Sequence, residues 1–243
     1  MSTQKLVIKN KEKSELELTS FSDLEIEVED DCSLVLKLAN FENAENLKIT
    51  ANLGYNSSFD VVFADFSDSN ISVKTQVNLN KEGANCRWHL ATLSGHENHK
   101  KFDISFTHHV GHTYALMDNY GVAKAKSNIV FTGVNHILEG AKGSETIQNA
   151  KIIVFDEESG GTASPVLRID ENDVKASHGA VVGQLNEDHM FYLMSRGLNK
   201  EEARALITLG YLQPISRQFS EKTQEKILNL IRYGSIILHC LLN

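Results

Sequence analysis

Apolar and polar residues alternate with a period of two along the chain from Phe21 to about Ile169. The clearest runs are Leu24-Ile26-Val28, Leu34-Leu36-Leu38, Phe59-Val61-Phe63 and Phe102-Ile104-Phe106. Side chains of a strand point alternately to its two faces, so each run predicts a β-strand with one buried face. Clusters of Asn, Asp, Ser and Gly separate the runs at intervals of roughly 10 to 12 residues, which predicts many short strands.

This even spacing is compatible with a β-sandwich, a barrel or a β-solenoid. Two features favour the solenoid. Asn-Gly and Asp-Gly hairpin signatures are missing between the runs. The connections are instead polar corners of the kind that turn a strand onto the next face. Periodicity alone leaves all three architectures open.

The period becomes helical after Gly183. The first helix has an N-cap at Asn186 followed by the acidic Glu187 and Asp188, and a stop signal at Arg196-Gly197. The second has a capping box at Asn199 and Glu202 and a stop signal at Gly210 and Pro214. From Ser220, a third shows an apolar stripe, interrupted by Gly234, at Ile227, Leu230, Ile231, Leu238 and Leu241. These signals predict three helices. We therefore expect an N-terminal lead-in over residues 1–20, a β-rich core domain over 21–183 and a small helical domain over 184–243.

Composition and charge exclude several classes of protein. Apolar residues make up 41% of the chain and charged residues 23%, as in ordinary globular proteins. The net charge of -8 leaves no basic surplus for binding nucleic acid or an anionic membrane. The N-terminal segment has no apolar signal region, and no run of about 18 apolar residues occurs. We expect a cytoplasmic protein with no membrane or nucleic-acid partner.

The residues offer little self-contained chemistry. Cys32, Cys86 and Cys240 are far apart and lack a CxxC spacing, which argues against disulfides and thiolate metal sites. The nucleophile elbow GxSxG, the phosphate loop GxxxxGK[ST] and the zinc motif HExxH are missing. The acidic stretch 156–158 lacks the spacing of a calcium loop and predicts a solvated loop. We expect any chemistry to be shared with another protein.

Histidines are candidates for metal binding. The densest group is His89, His96, His99, His108, His109 and His112. Neighbouring residues of a strand point to opposite faces, so His108 and His109 cannot both join His112, and surface or turn positions are the simpler interpretation. His178 stands apart, because Ala176, Ser177, Gly179 and Ala180 let another backbone approach closely. An imidazole there can be a nitrogen ligand, a proton carrier or a ring that bonds its own turn.

Four sequence blocks are similar to a known family. They are Pro165-Val166-Leu167-Arg168-Ile169, Asp173-Val174-Lys175-Ala176-Ser177-His178-Gly179-Ala180, Val182-Gly183-Gln184-Leu185 and Phe191-Tyr192-Leu193-Met194-Ser195-Arg196-Gly197-Leu198. Their order and spacing resemble the SufB/SufD family of the SUF iron–sulfur cluster assembly system over residues 152–214. Phe131-Thr132-Gly133 and Gly140-Ala141, Gly143-Ser144 and Gln148 extend the resemblance more loosely. Residues 152–183, where SufB members supply an interface thiol, contain no cysteine, so the chain resembles SufD more than SufB. Compared with longer members of the family, it resembles a short form.

The resemblance implies a mainly β fold, a right-handed parallel β-helix followed by a small helical domain. It implies that Ser177, His178 and Gly179 lie at an interface with a SufB-like subunit or a second copy, where a transient iron–sulfur cluster forms beside His178. A lone imidazole cannot hold such a cluster, so we expect no cofactor held alone. The family further implies that a SufC-like ATPase docks on the C-terminal helices, at Phe191, Tyr192, Arg196, Gly197 and Tyr211.

The resemblance thus implies a non-catalytic scaffold subunit whose energy comes from ATP hydrolysis by a partner. Two alternatives remain. A carbohydrate-active β-helix enzyme would need paired carboxylates or calcium sites in a groove, which the sequence does not offer. A homodimeric β-helix interaction protein without iron chemistry would use the same surfaces.

Overall fold

The alternating runs form a parallel β-helix in the computed structural model, which describes residues 3–42 and 46–233. One sheet, sheet A, consists of β1 (Gln4–Ile8), β3 (Leu24–Val28), β5 (Asn46–Leu53), β7 (Ile71–Leu79), β9 (His99–His108), β11 (Asn128–Ile137) and β13 (Gly160–Ile169). The other, sheet B, consists of β2 (Lys13–Leu18), β4 (Ser33–Asn40), β6 (Ser58–Asp65), β8 (Asn85–Ser94), β10 (Tyr114–Ala123), β12 (Glu145–Val154) and β14 (Lys175–Gln184). Every strand pairs in parallel with the strand two places along the chain, so the chain coils between the sheets. The predicted β-solenoid is confirmed, and the antiparallel sandwich is wrong.

The β-helix begins earlier than the hydrophobic pattern predicts. Residues 1–20 were expected to be a lead-in, yet β1 and β2 are hydrogen-bonded members of the two sheets. Gln4 and Ser14 occupy positions in register with the buried Leu24 and Leu34. Because both residues are polar, the apolar alternation is weak in this segment and does not reveal the strands.

The turns of the β-helix widen along the chain. Gln4 is in register with Leu24, twenty residues later, whereas Glu145 is in register with Lys175, thirty residues later. The interior of the middle turns holds a column of edge-to-face aromatic rings, Phe21, Phe63, Trp88, Phe102 and Phe131, with centroids 5.7–6.1 Å apart. Such pairs add to the free energy gained by burying the rings. The column ends at Phe131, and its neighbour in the last turn is Ala163.

Three helices follow the last strand: α1 (Glu187–Ser195), α2 (Lys200–Ser216) and α3 (Glu221–Tyr233). The predicted caps are confirmed, since Asn186 caps α1 and Asn199 forms a capping box with Glu202. The predicted end of the second helix at Gly210 and Pro214 is wrong, because Pro214 lies inside α2. Burial of Leu212 and Ile215 on either side of the proline holds the helix through this position despite its lost hydrogen bond. Gly234, Leu238, Cys240 and Leu241 lie outside the described residues.

α2 and α3 pack along the outer face of sheet B. This second core consists of Ala39, Val62, Ala64, Phe66, Ala91, Val122, Phe155, Leu212, Ile215, Phe219, Ile227 and Ile231. Glu17 of β2 fixes the start of α3 by accepting hydrogen bonds from the backbone N–H and the hydroxyl of Ser220, at 2.8 and 2.7 Å. Within residues 3–42 and 46–233, the helices cover the side of the β-helix and not the end formed by β13 and β14. No helix within residues 3–42 and 46–233 is long and apolar enough to cross a membrane.

Candidate interaction site at the open end of the β-helix

The last turn of the β-helix, β13 and β14, has no further turn on top of it within the described residues. Ala176, His178, Ala180 and Val182 are in register with Thr146, Gln148, Ala150 and Ile152, which are buried in the interior. These four residues of β14 therefore point along the interior face, yet all four are exposed. On the outer face of the same strand, Val181 is 58% exposed. The end of the apolar interior thus faces solvent.

Among the described residues, no strand pairs with the outer edge of β14, which offers a continuous row of free backbone groups. Lys175 N–H donates to Ser144 and Leu185 N–H donates to Val154, so the odd-numbered amides point toward β12. Successive amides of a strand point in opposite directions in the plane of the sheet. The N–H and C=O groups of Ala176, His178, Ala180, Val182 and Gln184 consequently face outward. A strand with such an unpaired edge is a template for pairing with another chain.

The edge of β13 is interrupted. Gly160 N–H donates to Ser127 and Asp170 N–H donates to Ile137, so the even-numbered amides of β13 point toward β11. Pro165 therefore occupies an outward-pointing position, where it has no N–H to donate. The two edges of the last turn differ, since β14 has a complete row of donors and β13 lacks its central one.

The predicted pairing residues lie on the two faces of β14. His178 is on the interior face, at the open mouth, whereas Ser177 and Gly179 are on the outer face. Directly beneath His178 lies Gln148, whose Nε2 donates to the backbone carbonyl of Val166 at 3.0 Å. Sequence reasoning used Gln148 only as part of a motif and missed its position. The thirty-residue step from one turn to the next, which only the register reveals, brings the two residues together.

α1 presents an apolar surface to solvent. Phe191 is 75% and Tyr192 56% exposed, and no residue of α1 is buried. The guanidinium of Arg196 lies 5.1 Å from the centroid of the Tyr192 ring, and Gly197 ends the helix with a φ of +96° that favours glycine. Four of the five residues predicted to dock an ATPase, Phe191, Tyr192, Arg196 and Gly197, therefore form one surface on and beside α1.

The fifth residue, Tyr211, lies elsewhere. Its ring packs edge-to-face on Tyr120 of β10 at 5.7 Å, and burial raises the pKa of its hydroxyl to about 12. A cavity of about 450 Å³ separates α1 from the corner after β12, with Met190 and Met194 along its wall. α2 packs directly on sheet B, whereas α1 connects β14 to α2 and borders this cavity.

The acidic stretch at 156–158 is only partly the solvated loop that its sequence predicts. Asp156 accepts two hydrogen bonds from the Arg204 guanidinium, at 2.9 and 2.7 Å, and one from the Ala125 backbone. These bonds hold the pKa of Asp156 below its usual value despite partial burial, which acts in the opposite direction. Glu157 and Glu158 are exposed, as expected. Asp156 therefore anchors α2 to the β-helix.

The histidine cluster does not form a metal site. His108 is fully buried, with Nδ1 2.7 Å from the Thr113 hydroxyl, so its predicted position on the surface or in a turn is wrong. Burial, followed by the nearby His109, lowers the pKa of His108 to about 4. The expected separation of His108 from His109 is observed, since His108 is buried whereas His109 and His112 are exposed. No group of three or more His, Cys, Asp or Glu side chains within residues 3–42 and 46–233 is arranged to hold a metal ion.

Neither described cysteine is near the open end. Cys32 and Cys86 are free and buried in the interior of earlier turns, and burial raises the pKa of the Cys86 thiol strongly. Cys240 lies outside the described residues. His178 is therefore the one side chain of β14 that combines exposure with the capacity to bind a metal.

The sequence of the chain is similar to those of known proteins. The family model for the SufBD core domain of the SUF system for FeS cluster assembly matches residues 6–211. The chain is 27% identical to the iron–sulfur cluster assembly protein SufD of Bacillus subtilis over 179 residues, covering 73% of this chain and 41% of the relative. It is 24% identical to SufB of the same organism over 180 residues, covering 71% and 39%. The chain thus spans about two fifths of the length of these relatives.

Proposed function

Because the chain belongs to the SufBD family of the SUF system for iron–sulfur cluster assembly, we propose that it works as a non-catalytic scaffold subunit in that assembly. In this proposal the last turn of the β-helix pairs with a second β-helix, and α1 is the docking surface for an ATPase. The observation that carries the proposal is the unpaired edge of β14, with His178 at its centre.

The chemistry of the edge favours a partner that supplies thiolates. Iron–sulfur clusters are held mainly by cysteine sulfur, and residues 152–183 contain no cysteine. His178 can contribute one neutral nitrogen ligand. The nascent cluster is cargo that needs further ligands, so the proposed partner is a SufB-like subunit with a cysteine facing His178. A second copy of this chain would bring a second imidazole and, from residues 152–183, no thiolate.

Two proline substitutions test the pairing. Ala180→Pro removes an outward-pointing N–H of β14 without breaking the ladder to β12, because the 180 amide takes no part in it. Ala163→Pro makes the matched change on β13, whose edge Pro165 already interrupts. With a co-expressed SufB-like subunit, measured by light scattering, we expect Ala180→Pro to weaken pairing at least tenfold and Ala163→Pro to have little effect. Equal pairing by both variants would refute the use of β14.

The exposed face of α1 supports the docking of an ATPase. Exposed aromatic side chains are common anchors of protein interfaces, and Phe191 and Tyr192 stand side by side with Arg196. ATP hydrolysis belongs to that partner in the proposal, since the sequence has no phosphate loop of its own. Movement of α1 would act on β14, because only Leu185 and Asn186 separate the two elements.

Docking is tested with Phe191→Ala and Tyr55→Ala, which both remove an exposed aromatic ring. Tyr55 follows β5, near the narrow end of the β-helix, and serves as the control. The purified chain should not hydrolyse ATP but should bind the SUF ATPase. We expect Phe191→Ala to weaken that binding about tenfold or more, as interface anchors do. Full binding by Phe191→Ala would contradict the assignment of α1.

A further inference from the structure

Among residues 3–42 and 46–233, some buried side-chain oxygens near the open end have no hydrogen-bond partner. The side-chain oxygen Oε1 of Gln148 is buried and unpaired, although Nε2 of the same amide donates to Val166. An unpaired buried oxygen costs about 1–3 kcal/mol, so such atoms usually have a role. The bond to Val166 fixes the orientation of the amide and leaves Oε1 as the free atom.

The turn below leaves space for this oxygen. A Cβ atom at Gly133 would lie 2.7 Å from Gln148 Oε1 and 3.0 Å from the Met117 sulfur, closer than side-chain carbons approach. Gly133 is in register with Pro165 of the last turn. The absence of a side chain at 133 therefore leaves room for Oε1 across the interior, one turn below Pro165.

A ring donor lies on β14, the strand that pairs with β12 in sheet B. His178 is in register with Gln148, shares its interior face and has no turn above it. An imidazole turned over the mouth can direct one ring N–H at Oε1 while its other nitrogen points out of the β-helix. We propose that Gln148 is a positioning residue, which accepts a hydrogen bond from the ring of His178 and fixes its tautomer.

The consequence is a preorganised nitrogen ligand. Histidines that bind metals usually donate their other N–H to a carbonyl or carboxylate, which fixes the ring and raises its basicity. Gln148 would accept this hydrogen bond from His178, and the other ring nitrogen of His178 would present its lone pair to the proposed interface. This consequence rests on the proposed function, whereas the hydrogen bond itself is a property of the chain alone.

The test is ¹⁵N NMR of the imidazole rings in the full chain without partner or metal, at a pH where His178 is neutral. The His178 signals are assigned with His178→Ala. We expect the wild-type ring to show one dominant tautomer, with two well-separated nitrogen shifts. Gln148→Met removes the acceptor at similar volume and should draw the two shifts together.

Two further variants guard against nonspecific effects. Thr146→Val alters the neighbouring interior residue beneath Ala176 and should leave the His178 shifts unchanged. Gly133→Ala displaces Oε1 without altering Gln148 and should act like Gln148→Met, so the proposal stays testable if that variant does not fold. Averaged shifts in the wild type, or identical shifts in Gln148→Met, would overturn the proposal. Neither result bears on pairing, which the proline variants test separately.

Discussion

The two ends of the β-helix differ in how their edge strands are protected against pairing with another chain. At the narrow end, β1 and β2 have five and six residues, and Lys13, Glu15 and Glu17 alternate along β2. The Phe21 ring packs on Phe63 near this end. At the wide end, β14 has ten residues, of which Lys175 is the one with a permanent charge, and its interior face is exposed.

Short charged edge strands are a common defence against unwanted strand pairing. The narrow end has this defence and the wide end lacks it. The interior differs as well, because aromatic rings fill the middle turns whereas small and polar residues approach the open mouth. The wide end thus lacks the protection against strand pairing that the narrow end has, as the proposed pairing requires.

Replacing one leucine near each end by alanine should show the contrast most strongly, as a difference in the free energy of unfolding. Leu36 of β4 is fully buried, so Leu36→Ala should lower the free energy of unfolding by about 4 kcal/mol. Leu167 has the same orientation in β13 but is only partly buried, so Leu167→Ala should cost less than about 1.5 kcal/mol. Urea unfolding of the isolated chain measures both. Equal losses would mean that the last turn is as well covered as the early ones.

The interior of a covered turn should exclude charge. Burial lowers the pKa of His108 to about 4, so the folded chain holds this ring neutral while the unfolded chain protonates it near pH 6.5. The unfolded state then binds more protons between these values, and stability falls as the pH drops from about 6.5 to about 4. The full loss is about 3 kcal/mol.

His108→Gln, which cannot titrate, isolates this contribution. Stability curves measured by urea unfolding at several pH values should be flatter for His108→Gln than for the wild type between pH 6.5 and 4. Carboxylates contribute equally to both proteins, so the difference belongs to His108. Parallel curves would contradict the neutral buried ring.

Removing a charge at the narrow end should have the smallest effect on stability. Glu15 is exposed on β2 and forms an ion pair with Lys37, and exposed ion pairs contribute little, so Glu15→Val should change the free energy of unfolding by less than about 1 kcal/mol. The change should instead increase self-association of the isolated chain, because the edge loses part of its protection. Sedimentation velocity at rising concentration measures this, with Glu15→Gln as the control that keeps a polar residue. Unchanged association would show that other features protect the edge.

Local patterns predicted the strands after Phe21 and the N-caps at Asn186 and Asn199, because period-two alternation and capping residues act within a few positions. They did not predict where the helices pack. The run Val61-Val62-Phe63-Ala64 carries a signal for this, since consecutive apolar residues indicate a strand buried on both faces. The partners of Val62 and Ala64 come from α2 and α3, about 150 residues later, beyond the reach of any local pattern.

The candidate site was predicted unevenly. His178 was found from its motif and its small neighbours, whereas the free amides of β14 and the break at Pro165 depend on hydrogen-bond directions that only the structure gives. Gln148 and Gly133 were missed as functional residues because their relation to His178 follows from the thirty-residue length of the last turn.

Residue-resolved amide hydrogen exchange tests the central claim most directly. In the isolated chain, the odd-numbered amides of β14 should be protected by β12, and those of Ala176, His178, Ala180 and Val182 should exchange rapidly. On pairing with a SufB-like subunit, these even-numbered amides should become protected at least tenfold. If the complex forms and they still exchange as in the free chain, β14 is not the pairing edge.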